Sequence, residues 1–305
     1  MTGRSPTVPV ATLALALGSV WVFWGSTLAA MRLAIATIPP LAMVSVRFIV
    51  AGALVWAFLA VRGRARPQAG DWTRACVSGA TLLVTGNALT TWCVQYVPTG
   101  LASLLLSLSP VWMAAFDFMF TRARPTRLAV GGMALGLAGM ALLLQPRAIG
   151  PVPIGPTLLL IAASISWGFG SIYQRRNAGT NLVLATAMQM VVGGALVGVL
   201  ALGLGEWRSF DVHRITLASF GGLAWLIVFG SLFAYSAYLW TMRNAPTALA
   251  STYAYVNPLV ALVLGVVLFH ERLTPLAAVA SGVILSGVAL MMLPAKPAAP
   301  AMRRV

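Results

Sequence analysis

The sequence predicts an all-α membrane protein with ten transmembrane helices, arranged as two inverted five-helix repeats around a central cavity. The 305-residue chain is 60% hydrophobic and only 8% charged, with a mean hydropathy of +0.91, whereas a soluble domain carries about 25% charged residues. Ten apolar runs, each close to the roughly 20 residues that cross a bilayer, alternate with short polar breaks. Several segments of the second half repeat segments of the first.

The ten predicted spans follow one another with short connections. The first five cover about 10–31, 40–61, 72–95, 98–121 and 127–145, and the second five about 155–174, 182–204, 215–242, 246–269 and 275–293. Pro, Gly and Arg mark the breaks, as in "IPP" at 38–40 and "RGRARPQAGD" at 62–71. The first run is interpreted as a span, because it exceeds signal-peptide length and no clear cleavage site ends it. Residues 1–149 and 150–305 are therefore predicted to be two five-helix units.

The distribution of basic residues sets the predicted orientation. Fourteen of the twenty Arg and Lys residues fall on one side of the predicted spans and five on the other. The positive-inside rule then places both termini in the cytoplasm, which requires an even number of spans. Although the net charge is +15, the basic residues are scattered beside apolar runs and form no basic stripe for nucleic acid.

The internal repeat is clearest in two proline segments. "PTGLASLLLSLSP" at 98–110 and "PTALASTYAYVNP" at 246–258 lie 148 positions apart and share six identical positions. "VRFIVAGALV" at 46–55 likewise matches "MQMVVGGALV" at 188–197, and "GMALLLQP" at 139–146 matches "GVALMMLP" at 287–294. Because each copy has five spans, the two copies enter the membrane from opposite sides, a pattern typical of transporters. A duplicated scaffold or receptor without transport is the alternative.

Several segments carry a family resemblance that covers nearly the whole chain. The segments "WGSTLAAMRLA", "IPPLAMVSVRFIVAG", "SISWGFGSIYQRR" and "ALASTYAYVNPLVALVLGVVLFHERLT", with the duplicated layout, resemble the EamA family of the drug/metabolite transporter superfamily. The resemblance implies a bacterial inner-membrane exporter that moves amino acids or related small metabolites out of the cytoplasm. This substrate class comes from the resemblance alone.

Polar and aromatic side chains inside the spans are the candidate substrate-binding residues. Intramembrane charge is costly and usually faces a cavity, and buried amides need partners. The repeat pairs Arg47 with Gln189 and Trp24 with Trp167. For Arg47 the alternative is a structural role, reaching the interface or bonding carbonyls at a helix break; for the aromatics it is core packing. The predicted set is Trp24, Arg47, Asn87, Ser107, Trp167, Gln189, Tyr253 and Asn257.

Two prolines are predicted to break their helices near the midplane. Pro110 and Pro258 each lie twelve residues after the proline that opens the repeated segment, about 18 Å along a helix. Each lacks an N–H group and frees a carbonyl four residues earlier. Two matching bends, approached from opposite sides of the membrane, are the expected result.

Other chemistry is sparse. Asp117 is the only acid inside an apolar run and is expected to pair with Arg122 or Arg124, with proton coupling as the alternative role. No nucleotide, metal or hydrolase motif is present, so no cofactor, metal or enzymatic activity is expected. The expected partners are a small-molecule substrate and the lipid bilayer. A monomer suffices, and facilitated diffusion and proton-coupled efflux both remain open.

Overall fold

The computed structural model describes residues 9–97, 99–122, 124–144, 152–177, 179, 181–269 and 274–293, which contain helices and connections but no strand. Two ten-residue π-helical segments lie at Gly79–Ala88 and Leu226–Tyr235, and a short 3-10 helix lies at Val212–Arg214. The α-helices are α1 (Val10–Ile35), α2 (Pro40–Val61), α3 (Ala69–Ser78), α4 (Leu89–Cys93), α5 (Thr99–Leu106), α6 (Ser109–Thr121), α7 (Arg127–Leu144), α8 (Ile154–Asn177), α9 (Leu182–Gly203), α10 (Glu206–Ser209), α11 (Leu217–Trp225), α12 (Ser236–Asn244), α13 (Thr247–Ala250), α14 (Tyr253–Phe269) and α15 (Pro275–Met292).

Nine helical stretches of the described chain are long and apolar enough to cross a membrane. They coincide with nine of the ten predicted spans. The predicted third span, 72–95, corresponds to residues 69–93, which are helical throughout but carry several Thr and Gly residues and one Asn, and are not among the nine. The count of ten spans therefore stays a prediction.

The two π-helical segments were not predicted. They occupy the middle of the stretches 69–93 and 217–244 and lie 147 residues apart in the chain. At the end of the first segment, for example, the N–H of Leu89 bonds to the carbonyl of Val84, five residues earlier. π-helical turns are rare and often occur at functional sites, so these two segments direct attention to the centre of the molecule.

Helices α2 and α9 pack along each other through glycines in a reciprocal way. A Cβ added at Gly52 would lie 2.9 Å from the Ala187 carbonyl oxygen, and one at Gly194 would lie 3.1 Å from the Ser45 carbonyl oxygen. The sequence repeat pairs Gly52 with Gly194 and Ser45 with Ala187. Such an exchange of partners is what a two-fold relation between like helices produces.

Helices α7 and α15 show the same reciprocity. A Cβ at Gly132 would lie 2.6 Å from the Gly287 carbonyl oxygen, and one at Gly139 would lie 3.1 Å from the Ala280 carbonyl oxygen. The repeat pairs Gly132 with Ala280 and Gly139 with Gly287.

Adding a methyl group at this contact is expected to destabilise the protein. Because Gly132→Ala forces the Cβ against the backbone of α15, the free energy of unfolding should fall by about 1–3 kcal/mol. Gly131→Ala is the matched control, since nothing lies within 4 Å of its Cβ position. Thermal unfolding of the two purified variants checks this; equal midpoints would contradict the close α7–α15 contact.

The helix breaks differ from the prediction at both prolines. The first break lies between α5 and α6, at residues 107–108, and Pro110 occupies the first turn of α6, where a missing N–H costs nothing. The second lies at residues 251–252, and Pro258 is inside α14. In the repeat alignment the second break comes four residues, about one turn, before the first, so the two bends do not match.

Side-chain hydroxyls accompany both breaks. Ser107 Oγ donates to the Leu104 carbonyl at 2.6 Å, and Thr252 Oγ1 donates to the Leu249 carbonyl at 2.8 Å. Ser and Thr compete with backbone N–H groups for nearby carbonyls, so the hydroxyl positions, more than the prolines, coincide with where these helices stop.

Basic residues gather at one end of the helices. Arg64 and Arg243 line one groove there, and Arg124, Arg175 and Arg243 line a second. We call this the basic end. At the opposite end the Glu206 carboxylate accepts hydrogen bonds of 2.8 and 3.1 Å from backbone N–H groups at the start of α2.

Candidate functional site

A cavity of about 160 Å³ lies at the centre of the helices and is bordered by both halves of the chain. A cavity of only about 10–15 Å³ already holds a single water molecule, so the central cavity has room for a small organic molecule. Seven of the ten predicted site and break residues line it: Trp24, Arg47, Asn87, Trp167, Tyr253, Asn257 and Pro258.

The cavity extends from the centre away from the basic end. On α1, the lining residues Trp24, Thr27 and Met31 lie on successive turns towards Ile35, the end of the helix opposite the basic end. Both π-helical segments contribute to the wall, the first through Asn87 and the second through Tyr235.

Five aromatic residues cluster on the side of the cavity that faces the basic end, and four of them, all except Tyr238, line the cavity. The Trp24 ring lies 4.9 Å from Tyr238, 5.0 Å from Tyr253 and 5.7 Å from Trp167, centroid to centroid. Trp167 Nε1 donates to the Tyr253 hydroxyl at 2.6 Å, and Trp24 Nε1 to the carbonyl of Gly230 in the second π segment at 3.0 Å. We call Trp24, Trp167, Tyr235, Tyr238 and Tyr253 the aromatic cluster; it separates the cavity from the basic end.

Arg47 is buried in the cavity wall with 2% of its surface exposed, so it does not reach the membrane interface. Its Nε donates to Ser231 Oγ at 2.9 Å, and its guanidinium carbon lies 4.7 Å from the Phe48 ring centroid. Its Nη1 has no hydrogen-bond partner. Within the described chain no carboxylate pairs with it, so its buried charge is uncompensated, and an anionic group in the cavity would be favoured.

Asn87 and Asn257 bring unpaired amide oxygens to the same wall. The Oδ1 atom of each is buried and has no partner, and both residues line the cavity. A buried polar atom left unbonded costs about 1–3 kcal/mol. Together with Arg47 Nη1, the wall contains one unmatched donor and two unmatched acceptors.

Three predicted residues do not line the cavity. Ser107 is occupied by the bond to Leu104 at the helix break, and Pro110 lies beside the lining residue Ser109. Gln189 is fully buried and donates through Nε2 to the Tyr235 hydroxyl and, at 3.3 Å, to the Ser78 carbonyl. Gln189 therefore lies behind Tyr235, a lining residue, and does not line the cavity itself.

Sequence reasoning missed Tyr235 and Tyr238. Both are buried in the aromatic cluster, and Tyr235 also lines the cavity. They stand three residues apart in an apolar run, and a tyrosine hydroxyl deep in a span needs a polar partner. That spacing was the available signal.

Asp117 has a different partner from the one expected. Its Oδ2 lies 3.6 Å from Arg175 Nη1 and accepts a 2.6 Å hydrogen bond from Thr247 Oγ1. Arg122 caps α6 with a left-handed backbone (φ 59°), which turns the chain away from the helix. The ion pair thus joins α6 to α8, and neither Arg122 nor Arg124 takes part in it.

Comparison with known proteins places this architecture in a family. The model of the EamA-like transporter family matches residues 11–145 and again 155–293. The chain is 36% identical over 288 residues, 92% of each protein, to the uncharacterized inner membrane transporter YedA of Escherichia coli K12. It is 24% identical over 269 residues to the uncharacterized transporter YvbV of Bacillus subtilis, covering 88% of this chain and 87% of that one. A solved crystal structure, 20% identical, superimposes with a TM-score of 0.77 over 92% of this chain and 96% of its own. The chain therefore belongs to the EamA-like transporter family.

Proposed function

We propose that the protein is a secondary transporter of the bacterial inner membrane that exports amino acids or related small metabolites by alternating access. The central cavity between the two halves, with an uncompensated arginine in its wall, carries this proposal. Membership of a transporter family supports transport, and the inner-membrane relative in Escherichia coli supports the location.

The chemistry of the wall suits a zwitterion. The Arg47 guanidinium is complementary to a carboxylate. The amide oxygens of Asn87 and Asn257 can accept hydrogen bonds from an ammonium group, and the faces of Trp24 and Tyr253 attract a cation. Such a substrate supplies partners for Arg47 Nη1 and for the Oδ1 atoms of Asn87 and Asn257, which have no hydrogen-bond partner in the protein.

The reciprocal contacts of α2 with α9 and of α7 with α15 support the inverted repeat. Two family matches, one in each half, agree with units at 1–149 and 150–305. Two equivalent packings of such units, open to opposite sides, are the basis of alternating access. Ten spans with both termini in the cytoplasm complete this arrangement.

Facilitated diffusion is the proposed mode. No acidic side chain lines the central cavity in the described chain, and Asp117 is 27% exposed at the basic end and paired with Arg175. Proton-coupled efflux is the alternative. A non-transporting scaffold or receptor is disfavoured, because it predicts a tightly packed centre, whereas a cavity with polar residues in its wall lies there.

Uptake into liposomes tests the proposal. Purified protein is reconstituted, and entry of radiolabelled amino acids and related metabolites is measured with and without an imposed pH gradient. Uptake above that of protein-free liposomes, at similar initial rates in both conditions, is expected. Uptake that needs the gradient would assign proton coupling, and no uptake of any amino acid or related metabolite in either condition would refute the substrate class. Competition among unlabelled metabolites then ranks the substrates.

A further inference from the structure

A second cavity, separate from the central one, lies at the basic end. It is a groove of about 560 Å³ bordered by α6, α7, α8, α13 and the ends of α12 and α15. Three arginines and one acid line it: Arg124, Arg175, Arg243 and Asp117. Neither Arg124 nor Arg243 has an ion-pair partner within the described residues. The charged side chains of the groove therefore sum to +2, and such a surface attracts anions and repels cations.

The floor of the groove is a three-residue node. Thr247 Oγ1 donates to Asp117 Oδ2 at 2.6 Å and accepts a hydrogen bond from Arg175 Nη1. The node ties α6, in the first half of the chain, to α8 and α13 in the second. The Asp117 and Arg175 side chains are 27% and 28% exposed, so a ligand in the groove can reach both.

The ion pair within the node is a single contact. Arg175 Nη1 lies 3.6 Å from Asp117 Oδ2, whereas strong charge-assisted bonds are about 2.7–2.9 Å and arginine commonly holds a carboxylate through two of them. Another carboxylate can therefore compete with Asp117 for Arg175.

A stripe of side chains on α8 connects the node to the central cavity. Trp167, Ser171 and Arg175 follow one another at intervals of four residues and share one helix face. Trp167 bonds to Tyr253, Ser171 shares a hydrogen bond with Tyr238, and Arg175 bonds to Thr247. The groove and the central cavity thus lie at the two ends of one stripe of side chains, and the aromatic cluster lies between them.

We propose that the groove is a second substrate site. There a carboxylate of the substrate binds Arg175 in place of Asp117, and this exchange opens a route from the groove to the central cavity. This rests on the proposed function. A ligand shifts a conformational equilibrium only by its differential affinity for the two states. The carboxylate meets this condition, because it gains Arg175 fully only after Asp117 releases it.

The test follows the reactivity of a buried cysteine beside the node. Ser251 is fully buried one turn beyond Thr247. The two native cysteines, Cys76 and Cys93, are first replaced by Ser and Ala, so that Ser251→Cys in this background reports access from the groove. Ser109→Cys, which lines the central cavity, is the matched reporter for the other side. Modification by a charged methanethiosulfonate reagent is timed in neutral detergent. The probes are L-leucine, 4-methylpentanoate, which lacks the amino group, and 3-methylbutylamine, which lacks the carboxylate.

We expect L-leucine and 4-methylpentanoate to increase the modification rate of Ser251→Cys about fivefold. This factor corresponds to the loss of one hydrogen-bonded contact of about 1 kcal/mol. The same two probes should lower the modification rate of Ser109→Cys. 3-Methylbutylamine should change neither rate. Asp117→Asn should speed modification without a probe, and Arg175→Gln should abolish the response to both carboxylates. The exchange Asp117→Arg with Arg175→Asp should restore the slow rate, which separates loss of the node from misfolding.

Four outcomes would overturn the proposal, and the first three concern the reporter rates. These are an unchanged rate in folded Asp117→Asn, no response to either carboxylate, and an equal response to the amine. A fourth is a response to added phosphatidylglycerol alone, which would make the groove a site for a lipid headgroup. Transport in liposomes without a reporter response would refute this inference alone. A carboxylate response without transport of any amino acid would refute the proposed function, and with it the assignment of the carboxylate to a substrate, and would leave only a carboxylate-binding groove that controls access.

Discussion

Replacing Arg47 by methionine is expected to lower the transport rate about 30- to 150-fold, because a hydrogen bond to a charged group contributes about 2–3 kcal/mol. The same change should leave the unfolding temperature unchanged or raise it. The charge of Arg47 is buried without a counter-charge within the described residues, and replacing buried charge by an apolar side chain of similar volume is often neutral or stabilising. Initial uptake rates in liposomes and thermal unfolding of the purified variant give the two measurements.

Two further variants sharpen this experiment. Arg47→Lys keeps the charge but loses the planar fork, so an intermediate transport rate is expected. Arg208→Met, an exposed site outside the cavity, should match the wild type in both measurements. A structural role for Arg47 predicts the opposite pattern, in which Arg47→Met unfolds at a lower temperature while the folded fraction transports normally.

The sequence predicted which residue types meet at the centre better than it predicted how each is used. Arg47 and Gln189 are equivalent in the repeat, and both were expected at the substrate. Arg47 lines the cavity, whereas Gln189 is covered by Tyr235. A repeat identifies equivalent positions in two copies. It contains no information on which of the two copies faces the open side of the cavity in a given conformation. The different positions of Arg47 and Gln189 could therefore not be predicted from the sequence.

The misplaced helix breaks have a local physical cause. Proline removes one N–H group wherever it stands, but it ends a helix only where the neighbouring backbone finds other partners. Ser107 and Thr252 bond to carbonyls at the two breaks, and Pro258 stays within α14. The proline pattern thus predicted that these spans are interrupted, but not the residues at which the interruptions lie.

The π-helical segments and the node depend on contacts between distant parts of the chain. Leu226–Tyr235 brings Tyr235 to the cavity and Ser231 to Arg47, and no hydrophobic period in that run distinguishes a π-helix from an α-helix. Asp117 was assigned to the nearest arginines in sequence. Its partner, Arg175, is 58 residues away on another helix, and only the packing of α6 against α8 brings the two together.

Replacing Trp167 by alanine is expected to have the largest effect on stability. Its ring packs against Trp24 and Tyr238 at 5.7 and 5.8 Å between centroids, and it leaves so little room that a Cβ at Gly86 would lie 2.8 Å from it. Removing a tryptophan from such a site costs about 3–5 kcal/mol in the free energy of unfolding. Transport should fall at least tenfold, about 1.4 kcal/mol, because the aromatic cluster loses the residue that joins α8 to α14.

The hydrogen bond of Trp167 is separable from its packing. Trp167→Phe keeps an aromatic ring but removes the 2.6 Å bond to the Tyr253 hydroxyl, so a loss of stability of about 1 kcal/mol and a several-fold loss of transport are expected. Tyr253→Phe removes the same bond from the other side. If that bond is what both changes affect, the double variant should lose no more than the worse single variant, whereas independent roles would give additive losses. Trp225→Phe is the control. This tryptophan is 39% exposed and donates a hydrogen bond to Ser26, and neither residue lines the cavity, so its replacement should leave the transport rate unchanged.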